Sequence, residues 1–152
     1  MKKLLSKTWR KLSLPAGFQL SVMRIFQTQF LVGVTGVILN DKNEVLLFKH
    51  TYRQDPLWSL PGGYMKAGEH PLEGLEREVE EESGLLVSAD EELRIRTDRV
   101  SSRLDITVKG KFIGGEFKPS SEVTEYGFFT QDNLPSISKN QLLLINHVIW
   151  PQ

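Results

Sequence analysis

The segment Gly63–Leu85, GYMKAGEHPLEGLEREVEEESGL, constrains this chain more than any other stretch. Pro71 suits the first turn of a helix, where its missing N–H costs nothing, and Gly84 suits the position just past the end. Between them Leu72, Leu75 and Val79 recur at helical spacing and form one apolar stripe. With roughly 100° of turn per residue, Glu78, Glu81 and Glu82 share a sector about 100° wide beside that stripe. Glu73, Glu76 and Glu80 point elsewhere, and Gly74 falls within the carboxylate sector. A glycine inside a helix costs about 1 kcal/mol relative to alanine. The cost makes sense where another group must approach the backbone.

Three carboxylates on one face repel unless a cation sits between them. Hard oxygen ligands of this kind suit Mg²⁺ or Mn²⁺, shared with substrate phosphates. Arg77 lies next to this face and can brace the carboxylates with its planar fork. The preceding Leu60-Pro61-Gly62-Gly63 reads as a loop whose glycines let backbone carbonyls approach a metal or phosphate. A solvated acidic helix is the ordinary meaning of a Glu-rich stretch, and the acidic face alone does not decide against it. Gly63, Glu69, Arg77, Glu78, Val79, Glu81, Glu82, Gly84 and Leu85 fill every fixed position of the pattern G-x5-E-x7-R-E-U-x-E-E-x-G-U, with U a bulky aliphatic residue. A chance match of that kind is on the order of one in ten million or rarer. Here the chain resembles the Nudix hydrolases, which cleave nucleoside diphosphates linked to another moiety; the resemblance covers the catalytic segment alone.

The resemblance implies a mixed sheet between helices and attack of water on phosphorus, with Mg²⁺ (or Mn²⁺) bridging the substrate diphosphate. Glu78 and Glu82, at i and i+4, are the first-choice ligands. Glu81 is a further one, and the Gly63 carbonyl a fourth. Glu69 is expected to pair with Arg77 or brace the loop. The general base varies in this family between a motif glutamate and one from a later loop, so Glu78, Glu122 and Glu125 all stand as candidates, the last two beside a late strand. Arg53, Arg99 and Arg103 are candidates for substrate phosphates, against the default of a solvated arginine. Trp58 is read as packing rather than a stacking platform. His50, His70 and His147 do not cluster, and His70 belongs to the helix start. Ser101 and Arg103 occupy the positions where ADP-ribose enzymes carry proline and diadenosine polyphosphate enzymes carry tyrosine, and the SQPWPFPxS segment of NADH enzymes is absent. The leading substrate class is a nucleoside diphosphate linked to another group (NDP-X), an NDP-sugar included. A modified nucleoside triphosphate, or a non-catalytic nucleotide sensor, is the alternative.

Composition sets the frame. At 152 residues with net charge +0, the chain has enough length for a proper core, and neither a nucleic-acid coat nor bulk electrostatic binding to membranes is expected. The absence of cysteine excludes disulfides and a thiolate nucleophile and fits a reducing cytoplasm. No apolar run is long enough to span a bilayer, and the basic start lacks the features of a secretory signal. Residues 1–28 read as a helical extension with Leu4, Leu5, Thr8, Trp9 and Leu12 on one face, broken at Pro15-Ala16-Gly17; a homodimer contact is the expected use of that stripe. Residues 29–152 read as the catalytic domain. Strands are predicted at Phe30–Leu39 and Glu44–His50, paired as a hairpin across Asn40–Asn43. Others are predicted near Leu85–Val87, Leu93–Val100, Leu104–Ile113 and Val123–Phe129. A closing helix from about Lys139 to Val148 is predicted with Ser138 as N-cap and Leu142, Ile145 and Ile149 inward. The order of elements points to an α/β/α sandwich around a mixed sheet.

Overall fold

A computed structural model of the protein describes residues 15–27, 29–52, 54, 57–98 and 101–149. The chain divides after Phe30 into two compact units. In the first, helix α1 (Ala16–Phe26) opens at Pro15 and ends at Gln27. Pro15-Ala16-Gly17 is therefore the start of a helix, since proline lacks only an N–H that a helix start leaves unbonded anyway. The stripe of Leu4, Leu5, Thr8, Trp9 and Leu12 lies outside the described residues.

The second unit runs β1 (Leu31–Leu39), β2 (Val45–His50), β3 (Trp58–Ser59), β4 (Gly62–Tyr64), α2 (Pro71–Ser83), β5 (Leu85–Asp98), β6 (Arg103–Gly115), β7 (Val123–Phe129) and α3 (Lys139–Ile149). The strands form one 7-stranded mixed sheet, with β1 parallel to β6 and the other pairings antiparallel. The expected hairpin closes at Leu39↔Val45. Asn40 Oδ1 accepts the N–H groups of Lys42 and Glu44 at 2.9 and 3.0 Å, and Asn43 takes the left-handed conformation (φ 58°) that asparagine tolerates.

β1 is the hub. Val34 pairs with Gly63 of β4 and with Ile106 of β6, so those strands flank β1 on opposite edges. Alternation along the strands sends side chains to two faces. One face packs Val34, Ile38, Leu46, Phe48, Ile106 and Val108 against Leu75 and Val79 of α2; the other packs Val37, Val45, Leu47 and Leu60 against Ile145 of α3. β2 is buried on both faces, which is why VLLF reads as an unbroken apolar run. The result is the expected α/β/α sandwich.

Three local expectations differ. Leu85–Val87 and the described part of Leu93–Val100, residues 93–98, belong to one strand, β5, whose pairing with β6 shifts register at three places. Gly62 and Gly63, the end of the expected Leu60–Gly63 loop, belong to a short strand, Gly62–Tyr64, held by β1. In α3, Leu142 is 39% exposed, and the inward face is Leu144, Ile145, Val148 and Ile149. Ser138 does cap that helix, its Oγ accepting the Gln141 N–H at 3.4 Å.

Candidate active site

Helix α2 is fixed at both ends before any chemistry is added. His70 is its N-cap, accepting the Leu72 N–H at 3.4 Å, while Glu73 Oε2 accepts the His70 N–H at 3.3 Å. Gly84 ends it in the left-handed conformation (φ 71°). Leu75 and Val79 are fully buried and Leu72 is partly so, which turns the next sector, with Arg77, Glu78, Glu81 and Glu82, toward β4. The approach anticipated at Gly74 is real: a Cβ there would stand 3.0 Å from Glu69 Oε2.

Arg77 organises this surface. Its Nε donates to Glu69 Oε1 at 2.6 Å and its Nη2 to Glu69 Oε2 at 3.0 Å and the Tyr64 carbonyl at 3.1 Å. Its Nη1 donates to Glu78 Oε1 at 2.7 Å and Glu81 Oε2 at 3.0 Å. Glu69 is thus the brace expected of it, and the Arg77 hydrogen bond, helped by the Lys66 N–H, holds its carboxyl down at about 2. Lys66, bonded to Glu81 Oε1 at 2.9 Å, depresses the Glu81 carboxyl, with Arg77 adding to the effect. The same partners, Glu69 first, raise the Arg77 guanidinium further above its ordinary value.

Beside this network opens a cleft of about 900 Å³. Gly63, Glu78, Glu82, Arg103 and Glu122 line it, together with the sheet floor of Gly33, Thr35, Asp105 and Thr107 and with Gln141 and Leu144 of α3. Glu81 is not on the cleft wall; it stays with Arg77 and Lys66. Glu125 faces Lys49 across β2 and β7 and is bonded to its Nζ at 2.6 Å, away from the cleft. Glu122 is held at the rim through its backbone, its carbonyl accepting the Thr51 N–H at 2.9 Å. Arg103 spends its charge locally: Nη2 donates to Asp105 Oδ2 at 3.1 Å and Nε stands 2.7 Å from Oδ1 as an ion pair, and hydrogen bonding to Asp105, followed by Tyr64, raises its pKa. Arg53 and Arg99 lie outside the described residues. Trp58 packs edge-on against Phe129 with ring centroids 5.2 Å apart, the structural role expected of it.

Among the described residues no three His, Asp or Glu side chains are gathered closely enough to hold a metal as they stand. The donor set nevertheless fits one. Gly63 leaves room that a side chain would fill: a Cβ there would lie 3.0 Å from Glu78 Oε1 and closer still to Oε2. Glu82 is only 8% exposed yet reaches the cleft. Two carboxylates and a backbone in that arrangement are hard oxygen donors suited to Mg²⁺ or Mn²⁺.

Arg94 and Arg96 also line the cleft, though no motif in the sequence singles them out. The usable signal was LRIRT, in which two arginines alternate with isoleucine at strand period. Glu76, which points away from the carboxylate sector, accepts the Ala89 N–H at 2.8 Å where β5 changes register.

Residues 29–143 match the family model of the NUDIX domain. An 8-oxo-dGDP phosphatase of Mus musculus is 33% identical over 127 residues, which cover 80% of this chain and 39% of that protein. An ADP-ribose pyrophosphatase of Methanocaldococcus jannaschii is 30% identical over 127 residues, covering 78% of this chain and 73% of that one. Among solved structures, an ADP-ribose pyrophosphatase of Streptococcus suis is 29% identical with a TM-score of 0.65, over 78% of this chain and 91% of that chain. A UDP-X diphosphatase shares the fold at 24% identity, with a TM-score of 0.67 over 94% of this chain and 75% of that chain.

Proposed function

This chain belongs to the Nudix hydrolase family, and from that premise we propose that it is a Mg²⁺-dependent pyrophosphohydrolase that cleaves the diphosphate linkage of an NDP-X compound. The carrying observation is the cradle at Gly63, where a missing side chain lets the Glu78 carboxylate lie against the backbone beside Glu82 on one cleft. Glu78, Glu82 and the Gly63 backbone are the groups that would hold the cation, which when bound neutralises the diphosphate and acidifies water. Arg77 keeps Glu78 in place from behind, so its role is positioning. Glu122 is the better placed general base of the two late candidates: it lines the cleft, and no hydrogen bond occupies its carboxylate among the described residues. It takes the proton from the attacking water as the new P–O bond forms and the bridging P–O bond breaks. The products are a nucleoside monophosphate and phosphorylated X.

The proposal extends to a homodimer formed through residues 1–28, on the strength of the Leu4, Leu5, Trp9 and Leu12 stripe, and to a cytoplasmic setting, on the absence of cysteine. No helix among the described residues is long and apolar enough to cross a membrane. The test is a product-release screen over NDP-X compounds and nucleoside triphosphates with Mg²⁺ or Mn²⁺. Chelation should abolish activity, and Glu82→Gln should lower turnover about a hundredfold or more with the fold intact. Full activity in the chelated protein overturns the metal dependence. Tight nucleotide binding without cleavage across the panel makes the protein a sensor instead.

A further inference from the structure

We propose that Arg94 and Arg96 form a second anion subsite, which binds a phosphomonoester carried by the substrate at a distance from the linkage that is cut. The inference rests on the hydrolase reading of the same cleft and adds a substrate feature to it. Register places the two side chains. Arg94 lies opposite Thr107 and Arg96 opposite Asp105, while Thr107 and Asp105 lie beside Thr35 and Gly33 of β1. All six line the cleft, on one face of the sheet.

The arginines reach that face through two irregularities in β5, between Ala89 and Glu91 and between Glu92 and Arg94. Each inserts one residue, and one insertion alone would turn every following side chain to the other face. The pair restores the phase, with Arg94 and Arg96 on the cleft side and Ile95 behind.

Charge points the same way. Arg103 is neutralised by Asp105, whereas Arg94 and Arg96 are exposed and have no ion-pair partner among the described residues. Two free guanidinium groups match the roughly −1.5 to −2 charge of a phosphomonoester at neutral pH better than the single charge of a carboxylate.

Distance separates this subsite from the carboxylates. Gly63 pairs with Val34, Val34 with Ile106, and Ile106 with Ile95, a straight row across the sheet. Three strand spacings of about 4.8 Å put the arginine strand about 14 Å from Gly63. The arginines therefore stand at the opposite end of the cleft from Gly63, where a second phosphate of the same substrate would lie.

The test compares steady-state hydrolysis of ADP-ribose, its 2′-phosphate and its 1″-phosphate, together with UDP-glucose and UDP-glucuronic acid, by wild type and by the Arg94→Gln/Arg96→Gln double variant. Wild type should show a KM at least about tenfold lower for one of the phosphorylated ADP-riboses than for ADP-ribose, and the ratio should fall to about one in the double variant. Both arginines are exposed, so the variant should fold. Turnover of ADP-ribose with no preference for either phosphorylated form overturns the subsite and leaves the hydrolase reading standing. An equal advantage for the uronic acid overturns the choice of phosphomonoester. If nothing is cleaved, calorimetric binding of adenosine 2′,5′-bisphosphate against AMP decides: a preference of about tenfold or more that the double variant loses keeps the subsite while the hydrolase reading falls, and no preference ends both.

Discussion

Replacing Gly63 with alanine separates catalysis from folding. Gly63 is outside the positive-φ set, so its backbone accepts a side chain. The three atoms nearest the new Cβ would all belong to Glu78, with Oε1 at 3.0 Å and Oε2 and Cδ nearer, where ordinary contact begins at 3.4 Å. The carboxylate, at the free end of a flexible side chain, must therefore retreat by about 1 Å, a displacement that costs about a hundredfold in rate at a reacting centre. That is about 2.7 kcal/mol of transition-state stabilisation. Stability should barely move. Losing the charge-assisted Glu78–Arg77 hydrogen bond costs about 1.5 kcal/mol, and the stiffer unfolded chain returns about 0.4–1 kcal/mol. Tm should then stay within about 4 °C of wild type. Gly62→Ala is the contrasting case: its φ is 147°, and a Cβ would press on Thr35 Cα at 2.9 Å and more closely on the Val34 carbonyl oxygen. That backbone cannot give way, so about 3 kcal/mol and roughly 6–12 °C of Tm should be lost. The measurements are thermal unfolding and product release on the best NDP-X substrate. A Gly63→Ala protein with wild-type turnover would refute the reasoning.

Glu69 titrates at about 2 in the folded chain against an ordinary 4.5, because Arg77 bonds its carboxylate. Its stabilising effect is therefore complete above about pH 4.5 and lost as pH falls through about 2; denaturant midpoints of wild type and Glu69→Gln should converge across that window, and a constant gap would contradict the assignment. Leu75→Ala should cost about 3 kcal/mol, seen as a Tm lower by roughly 6–12 °C, since Leu75 is fully buried at the centre of the α2 face. Deleting residues 1–14 should lower the mass seen by light scattering from dimer to monomer with the cleft residues unaffected, and an intact chain that stays monomeric at high concentration would end the dimer proposal.

The sequence was most readable where local chemistry settles the backbone. Pro71, the 72/75/79 stripe and Gly84 define α2 without help from the rest of the chain, and Glu69, Arg77 and Glu78 follow from their places on it. It was least readable where partners decide. Gly62 and Gly63 have no strand preference of their own and become strand because β1 offers them a ladder. LLLI in α3 is apolar at four successive positions, so periodicity could not tell Leu142 from Leu144. Glu122 and Glu125 look alike in sequence, and only the β2–β7 register, which sets Lys49 opposite Glu125, distinguishes them. Arg94 and Arg96 alternate with Ile95, but the insertions before them break the phase with Leu85–Ala89, so the face they take is not legible in the sequence.

The row from Gly63 through Val34 and Ile106 to Ile95 works as a ruler whose graduations are whole strands. Hydrogen bonding fixes the interval, so the span between the two ends of the cleft cannot be stretched a little. A change of substrate length can be met in only two ways: a longer or shorter side chain on the same strand, or transfer of the charge to a neighbouring one. Lysine for arginine is a fine adjustment, whereas moving the guanidinium groups from β5 to β6 shortens the measure by about 4.8 Å in a single step. Selectivity for size in such a cleft comes in discrete increments, set by the sheet before any ligand arrives.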